Sequence, residues 1–318
     1  ERNAKRIYPE GDLASNLLGF LGRDQEGLSG IEADYDHQLG GVAGESVFER
    51  DVYGRQIAYA RRQITPAAPG DDVRLTIDRY IQRAVEAELD RVIKEQNAKG
   101  GTIIVEDPRT GEILAVASRP SFDLSKLDLS NPEQASLYRN RAVTDTYEPG
   151  SVIKVVTMSA GIDQGVVTPD TTYNDTGTVS IGDWQIHNWD NSANGETTMT
   201  QVLQFSLNTG SAFVSQALGS QSFYDYLQRF GFGEVTGLDM QGEASGSVRT
   251  PGFDTWSPVD LVTNSFGQGM SATPIQVINA VSAIANGGFL MKPHIVKEII
   301  GTAGRKGIEP ETIRRVIS

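Results

Sequence analysis

The sequence contains no cysteine. That excludes a disulfide scaffold, a thiolate zinc site and a cysteine nucleophile. Histidine is scarce: His37, His187 and His294 are the only three, too far apart in sequence to suggest a metal motif. Long apolar runs are also missing. None reaches the roughly 18 residues a membrane helix needs, and no charged segment followed by an apolar one opens the chain, which starts at Glu1 rather than Met. Positive charge is in deficit, with 28 Lys+Arg against 41 Asp+Glu and a net charge of −13 over 318 residues. Such a surface repels phosphate backbones and argues against nucleic-acid binding. The deficit has an address: Val155 to Met291 holds two basic residues, Arg229 and Arg249, against twelve acidic ones. We read it as a solvated acidic face.

Apolar residues are not lacking. At 38% hydrophobic and 22% charged, the chain can bury a sizeable core and is not of disordered composition. Its length suits one large domain or two unequal ones. Residues 1–70 are rich in Gly and charge, with turns at Tyr8-Pro9-Glu10-Gly11, Gly40-Gly41 and Tyr53-Gly54-Arg55 and a short apolar element at Leu13 to Leu21. Glu45 to Asp51 and Gln56 to Gln63 read as paired strands, and Thr65 to Gly70 as a Pro-rich linker. Residues 71–318 form a second unit. Asp71 to Asp78 alternates as a strand does. Asp78 is placed to cap a helix running to Lys99, with Ile81, Val85, Leu89, Val92 and Ile93 at helical spacing. Gly101 to Glu106 and Glu112 to Ser118, joined by Asp107-Pro-Arg-Thr-Gly111, predict a hairpin. Helices are expected at Ser151 to Gln164, Met199 to Leu218 (broken near Asn208), Ser222 to Phe230 and Pro274 to Ala285, and a strand at Lys292 to Ile300. A strand, a long helix and a hairpin in succession indicate an α+β fold with an antiparallel sheet. Trp184 and Trp189 sit in a polar stretch and read as buried or loop-stapling aromatics, with the lining of a substrate groove as the lesser alternative.

Ser151-Val-Ile-Lys154 lies where a Pro-Gly turn enters a helix. Residues i and i+3 share a helix face, so Ser151 and Lys154 can touch. The first turn of a helix offers free N–H groups to an oxyanion. Lys154, flanked by Val152, Val155 and Val156, sits in an apolar setting that disfavours its ammonium form and makes it a candidate base toward the serine hydroxyl. No other Ser-x-x-Lys occurs in the chain. Ser-x-Asn occurs twice. Ser192-Ala-Asn194 lies in a polar loop and reads as turn chemistry. Ser206-Leu-Asn208 lies at a break between two apolar helical stretches and is the one we select.

Tyr147-Glu-Pro-Gly-Ser-Val-Ile-Lys154 resembles the active-site segment of the penicillin-binding proteins, and of the class B transpeptidases most closely. The resemblance extends along the chain, through Arg6-Ile-Tyr-Pro-Glu-Gly-Asp-Leu-Ala14, Gly27 to Glu32, Asp51 to Arg55, Leu75 to Gln82, Asp107 to Ala115, Phe266-Gly-Gln-Gly269, Thr273 to Gln276 and Ala285 to Gly288. It implies a penicillin-binding-protein/serine β-lactamase-like transpeptidase domain at 71–318, an antiparallel sheet flanked by helices, behind the C-terminal part of a small pedestal module at 1–70. It implies a serine D,D-transpeptidase of cell-wall synthesis, acylated by peptidoglycan stem peptides and by β-lactam antibiotics. Ser151 would be the nucleophile and Lys154 its base. Ser206 would relay a proton to the leaving group, and Asn208 would hold the substrate amide. No cofactor and no metal are implied. The expected location is the extracytoplasmic face of the bacterial membrane, through an N-terminal anchor helix, with a membrane glycosyltransferase as a partner. One departure stands out. The family's third motif, Lys-Thr-Gly or Lys-Ser-Gly, is not found; Arg305-Lys306-Gly307 lacks the middle residue. In the family that motif follows a segment like Arg314 to Ser318, so the chain is expected to stop before the strand that carries the second oxyanion N–H and the carboxylate anchor. Two alternatives remain open from sequence: a serine β-lactamase, and a non-catalytic scaffold of the wall-synthesis complex.

Overall fold

In the computed structural model, residues 6–55, 57, 62–129 and 131–318 are described. The carboxylate of Asp78 accepts the backbone N–H groups of Tyr80 at 2.8 Å and Ile81 at 3.1 Å. It therefore caps a long helix, as its position in the sequence implies. Strand β1 (Asp72–Leu75) leads into this helix, α1 (Arg79–Gln96). α1 ends at Asn97, which takes the left-handed conformation at φ 50°, a few residues short of the expected Lys99. β2 (Gly101–Glu106) and β3 (Ile113–Arg119) form the expected antiparallel hairpin, in a register that sets Ile104 opposite Val116.

The buried face of α1 is not the apolar stripe that the spacing suggests. Gln82, Glu86 and Leu89 are buried, whereas Val92 is exposed. The reason is hydrogen bonding. Gln82 is fully buried, and its amide takes both backbone groups of Val116: the Val116 N–H donates to Gln82 Oε1 at 2.8 Å, and Gln82 Nε2 donates to the Val116 carbonyl at 2.7 Å. The side chain thus does for the edge of β3 what a neighbouring strand would do. Gln82 Nε2 also donates to Glu86 Oε1 at 2.7 Å, and the same oxygen accepts the Ala14 N–H at 2.8 Å.

The chain then contributes α2 (Lys154–Asp163), strands β4 (Thr172–Asp175), β5 (Thr178–Ile181), β6 (Trp184–His187) and β7 (Gly195–Thr198), and helices α3 (Met199–Gln204), α4 (Asn208–Arg229), α5 (Pro258–Asn264) and α6 (Pro274–Ala285). α4 is interrupted at Gly219, with φ 74° and ψ 160°, which is the gap expected between Leu218 and Ser222. The strand expected at Lys292 to Ile300 starts later, as β9 (Val296–Gly301), and is preceded by a separate strand not expected from sequence, β8 (Phe289–Met291); Pro293, which has no N–H for a ladder, lies between them. β10 (Gly304–Gly307) and β11 (Thr312–Arg315) follow. β9 lies between β1 and β10, and β8 pairs with β11. Every strand ladder among the described residues is antiparallel. Arg305-Lys306-Gly307 lies on β10, an exposed outer strand.

α2, α4 and α6 share one core built on Ile153, Val156, Leu207, Val214, Phe223 and Ala280. A second core joins the N-terminal segment to the sheet: Leu17 and Ile31 are buried with Ile113, Val116, Ile295 and Val296. The expected linker at Thr65 to Gly70 is not free chain. Ala68 exchanges two backbone hydrogen bonds with Val42, and the Asp71 N–H donates to the Gln38 carbonyl at 2.7 Å. Of the expected strand pair, Glu45–Phe48 runs antiparallel to Arg62–Thr65; Gln56 and residues 58–61 lie outside the described residues.

Replacing Gln82 with Met keeps the side-chain length and strands the two backbone groups of Val116. We expect a loss of about 2–4 kcal/mol in stability, read as the shift in urea midpoint. A loss under about 0.5 kcal/mol contradicts the role given to this amide.

Candidate active site

The segment before Ser151 is fixed by backbone, not by side-chain packing. Tyr147 exchanges two hydrogen bonds with Ala272, both at 3.0 Å, and the Gly150 N–H donates to the Gly267 carbonyl at 3.0 Å. The Gly269 N–H donates to Glu148 Oε1 at 2.9 Å. The contact at Gly267 leaves no room for a side chain. Its φ is 78°, and a Cβ there would sit 2.2 Å from the Gly150 carbonyl oxygen. This accounts physically for the first glycine of Phe266-Gly-Gln-Gly269. The expected helix start at Ser151 is a tighter turn: Gly150–Ile153 is 3-10, and α2 begins at Lys154. That turn leaves Ser151 and Val152 exposed while Ile153 and Lys154 are buried, at 1% and 2% exposure.

Lys154 therefore holds its amine below the surface on which Ser151 stands. Burial lowers its pKa to about 8 from the ordinary lysine value. Its Nζ donates to Ser206, to the carbonyl oxygen at 2.5 Å and to Oγ at 3.0 Å. The Ser151–Lys154 contact that the i, i+3 spacing allows is not among these bonds; the lysine bridges to the second motif instead. Ser206 lies between α3 and α4 with φ 55°, a left-handed conformation rare for serine. Leu207, 1% exposed, anchors the turn, and its N–H donates to the Val202 carbonyl at 2.9 Å. Asn208 opens α4, half-buried, and its Nδ2 donates to the His187 carbonyl at 2.9 Å. Its side chain is thus tied to β6 and not to Lys154.

Ser151 and Ser206 line one open cleft of about 480 Å³. Trp189, Asp190, Ser192 and Asn194 line the same cleft; of these the sequence reading weighed only Trp189 as a groove residue, and as the lesser alternative. Trp189 is 73% exposed, and its Nε1 donates to the Phe205 carbonyl at 3.3 Å; Trp184 is 65% exposed. Neither is a buried aromatic. The usable signal was a large indole in a loop with no apolar neighbours to bury it. Ser192 does make the turn contacts expected of it, donating from N and Oγ to Asp190 Oδ1, but that turn borders the cleft.

This geometry provides an exposed hydroxyl, a buried amine poised near neutral and a second hydroxyl between amine and solvent, which suits acyl transfer through a serine ester. The penicillin-binding protein transpeptidase domain matches residues 101–318, and the penicillin-binding protein dimerisation domain matches residues 1–75. The chain belongs to the class B penicillin-binding proteins. Stage V sporulation protein D of Bacillus subtilis is 37% identical over 309 residues, 96% of this chain and 47% of that protein. The peptidoglycan D,D-transpeptidase FtsI of Escherichia coli K12 is 32% identical over 314 residues, covering 99% of this chain and 52% of its own. The crystal structure of penicillin-binding protein 3 of Mycobacterium tuberculosis superposes with a TM-score of 0.84 at 34% identity, covering 99% of this chain and 66% of that one. This penicillin-binding protein spans about half the length of the curated relatives it matches.

Gly267→Ala pushes against the Gly150 carbonyl and displaces the Ser151 turn. We expect the reactivity of Ser151 toward an acylating probe to fall by roughly 100-fold, measured as the second-order labelling rate. A rate within threefold of the parent means that the close approach of Gly267 does not set the position of Ser151.

Proposed function

We propose that the native protein is a serine D,D-transpeptidase that cross-links peptidoglycan and is acylated by β-lactams. The observation that carries this reading is the buried Lys154 amine, bonded to Ser206, beneath an exposed Ser151. In the first half-reaction Ser151 Oγ attacks the carbonyl carbon of the penultimate D-alanine and gives up its proton to the neutral Lys154 amine. The C–N bond to the terminal D-alanine breaks, and a proton returns through Ser206 to the leaving amine. In the second half-reaction the neutral amine of a neighbouring stem peptide attacks the ester carbonyl; the new C–N bond forms the cross-link, the acyl C–O bond breaks, and the proton lost by the amine passes through Lys154 to Ser151 Oγ. Asn208 would hold the substrate's amide; its bond to His187 would then have to be shared or exchanged.

The names of the relatives support the same chemistry: the E. coli relative is a peptidoglycan D,D-transpeptidase, and M. tuberculosis penicillin-binding protein 3 has been crystallised with ampicillin. The division into a pedestal module at 1–70 and a transpeptidase domain at 71–318 belongs to this reading, supported by family matches that end at residue 75 and resume at residue 101. So does work on the outer face of the cytoplasmic membrane beside a membrane glycosyltransferase. Among the described residues no helix is long and apolar enough to cross a membrane, so the anchor in this proposal is a segment other than those described.

The native gene product should label with a fluorescent penicillin, and Ser151→Ala should abolish labelling. A Ser151→Ala protein that labels like the parent overturns the assignment. Because the base must be neutral, the acylation rate should rise roughly tenfold per pH unit below pH 8 and level off above it. A profile flat from pH 6 to 9 removes Lys154 as the base. Rapid turnover of nitrocefin would instead indicate a β-lactamase.

A further inference from the structure

Strands β4 and β7 pair as a two-stranded stem, with Asp175 opposite Gly195 at its end. Between them the chain makes an excursion of nineteen residues, 176–194, which contains the β5–β6 hairpin and the cleft wall Trp189, Asp190, Ser192 and Asn194. One carboxylate gathers the excursion. Asp175 is 1% exposed. Its Oδ1 accepts the Gly177 N–H at 2.9 Å and the Thr209 hydroxyl at 2.8 Å. Its Oδ2 accepts from Asn194, from the backbone N–H at 3.1 Å and from Nδ2 at 2.7 Å. Asn188 Nδ2 donates to both oxygens, at 3.2 and 3.0 Å. The donors thus come from the start, the interior and the end of the excursion, and from Thr209, the residue after Asn208.

All these donors are neutral. A buried carboxylate without a cation is costly, and a fold that needed only to close a loop could use an apolar residue here. What the site needs is an acceptor at every direction. An asparagine in place of Asp175 would turn an N–H toward a donor, so it could not accept from all four residues. The hydrogen bonds outweigh the upward push of burial and hold the carboxyl below its ordinary pKa, with Asn194, Gly177 and Thr209 contributing. Asn188 doubles the link, since its Oδ1 accepts the Thr209 N–H at 3.2 Å.

We propose that Asp175 is a positioning residue for the non-covalent ligand complex that precedes acylation: it fixes the 188–194 wall against the start of α4, and so sets the width of the cleft between Trp189 and the Ser151–Ser206 pair. It touches neither substrate nor reacting atoms. The inference rests on the transpeptidase reading, because it assigns the wall to ligand binding. The Asp175→Asn variant of the native protein tests it. The dissociation constant of the first, non-covalent complex with a fluorescent penicillin should rise at least tenfold. The rate of acylation within that complex should change less than threefold, and the pH profile should keep its inflection. The double variant Asp175→Asn, Asn194→Asp restores the bond between the two side chains with donor and acceptor exchanged, and should recover much of the affinity. A merely structural role predicts a smaller active fraction with unchanged binding and acylation constants, and that result overturns the proposal. If the parent takes no penicillin, the functional reading fails separately, and hydrogen exchange decides. The amides of Gly177, Asn194 and Thr209 should then lose protection in Asp175→Asn while those of α6 keep theirs. Equal loss in α6, or no loss at the three amides, overturns the positioning role.

Discussion

The bond between Lys154 Nζ and Ser206 is the interaction on which the rest of the site depends. Taking a lysine from water into a site 2% exposed penalises its charged form. The amine stays there because two oxygens of one residue meet it, the Ser206 carbonyl and hydroxyl. Presenting both requires Ser206 at φ 55°, a conformation that costs a non-glycine residue about 1–3 kcal/mol. It also requires a chain break between α3 and α4, since a serine inside a helix gives its carbonyl to the helix. The helix break, the backbone strain and the lowered lysine pKa are therefore one arrangement seen in three places.

Exposing Ser151 beside a buried Lys154 is a matter of three residues of chain. The 3-10 turn at Gly150–Ile153 sets residues i and i+3 nearly in line, with Ser151 at the solvent end and Lys154 at the buried end. That turn is held from outside by backbone bonds to Gly267 and Ala272, and backbone can come so close only where no Cβ intervenes. The position of Ser151 is thus written partly in residues more than a hundred positions downstream.

This distribution explains what was legible in the sequence. Local signals read well: Asp78 as a cap, the Asp107 to Gly111 turn, the break before Asn208 and the α6 boundaries each depend on a few adjacent residues. Ser151, Lys154 and Ser206 were singled out by short motifs together with the family resemblance, and the structure places Ser151 and Ser206 on one cleft with Lys154 bonded to Ser206. The buried face of α1 was not, since a glutamine counts as polar in any periodicity and its partner, Val116, lies on another strand. Trp189 as a cleft residue ranked second in the sequence, because large aromatics are usually buried and a polar neighbourhood alone does not tell a cleft wall from a stapled loop. The cleft wall itself depends on Asp175 meeting Asn188, Asn194 and Thr209, contacts that span up to 34 residues and follow no period.

Gln82 and Asp175 show a common way of fixing geometry. Each is a fully enclosed polar side chain whose hydrogen bonds go largely to backbone or to neutral side chains. An apolar residue in either place would avoid the desolvation cost, but it would leave the neighbouring N–H and C=O groups without partners. Hydrophobic contacts tolerate small sliding movements, whereas a fully satisfied hydrogen-bond cluster defines one arrangement. Gln82 sets α1 against β3 and, through Glu86, the N-terminal segment against both. Asp175 sets the cleft wall against α4. The apolar cores supply most of the favourable free energy of the fold, but they would permit the wall and Ser151 to drift relative to each other. The buried polar groups remove that freedom, as the proposed chemistry of one lysine and two serines would require.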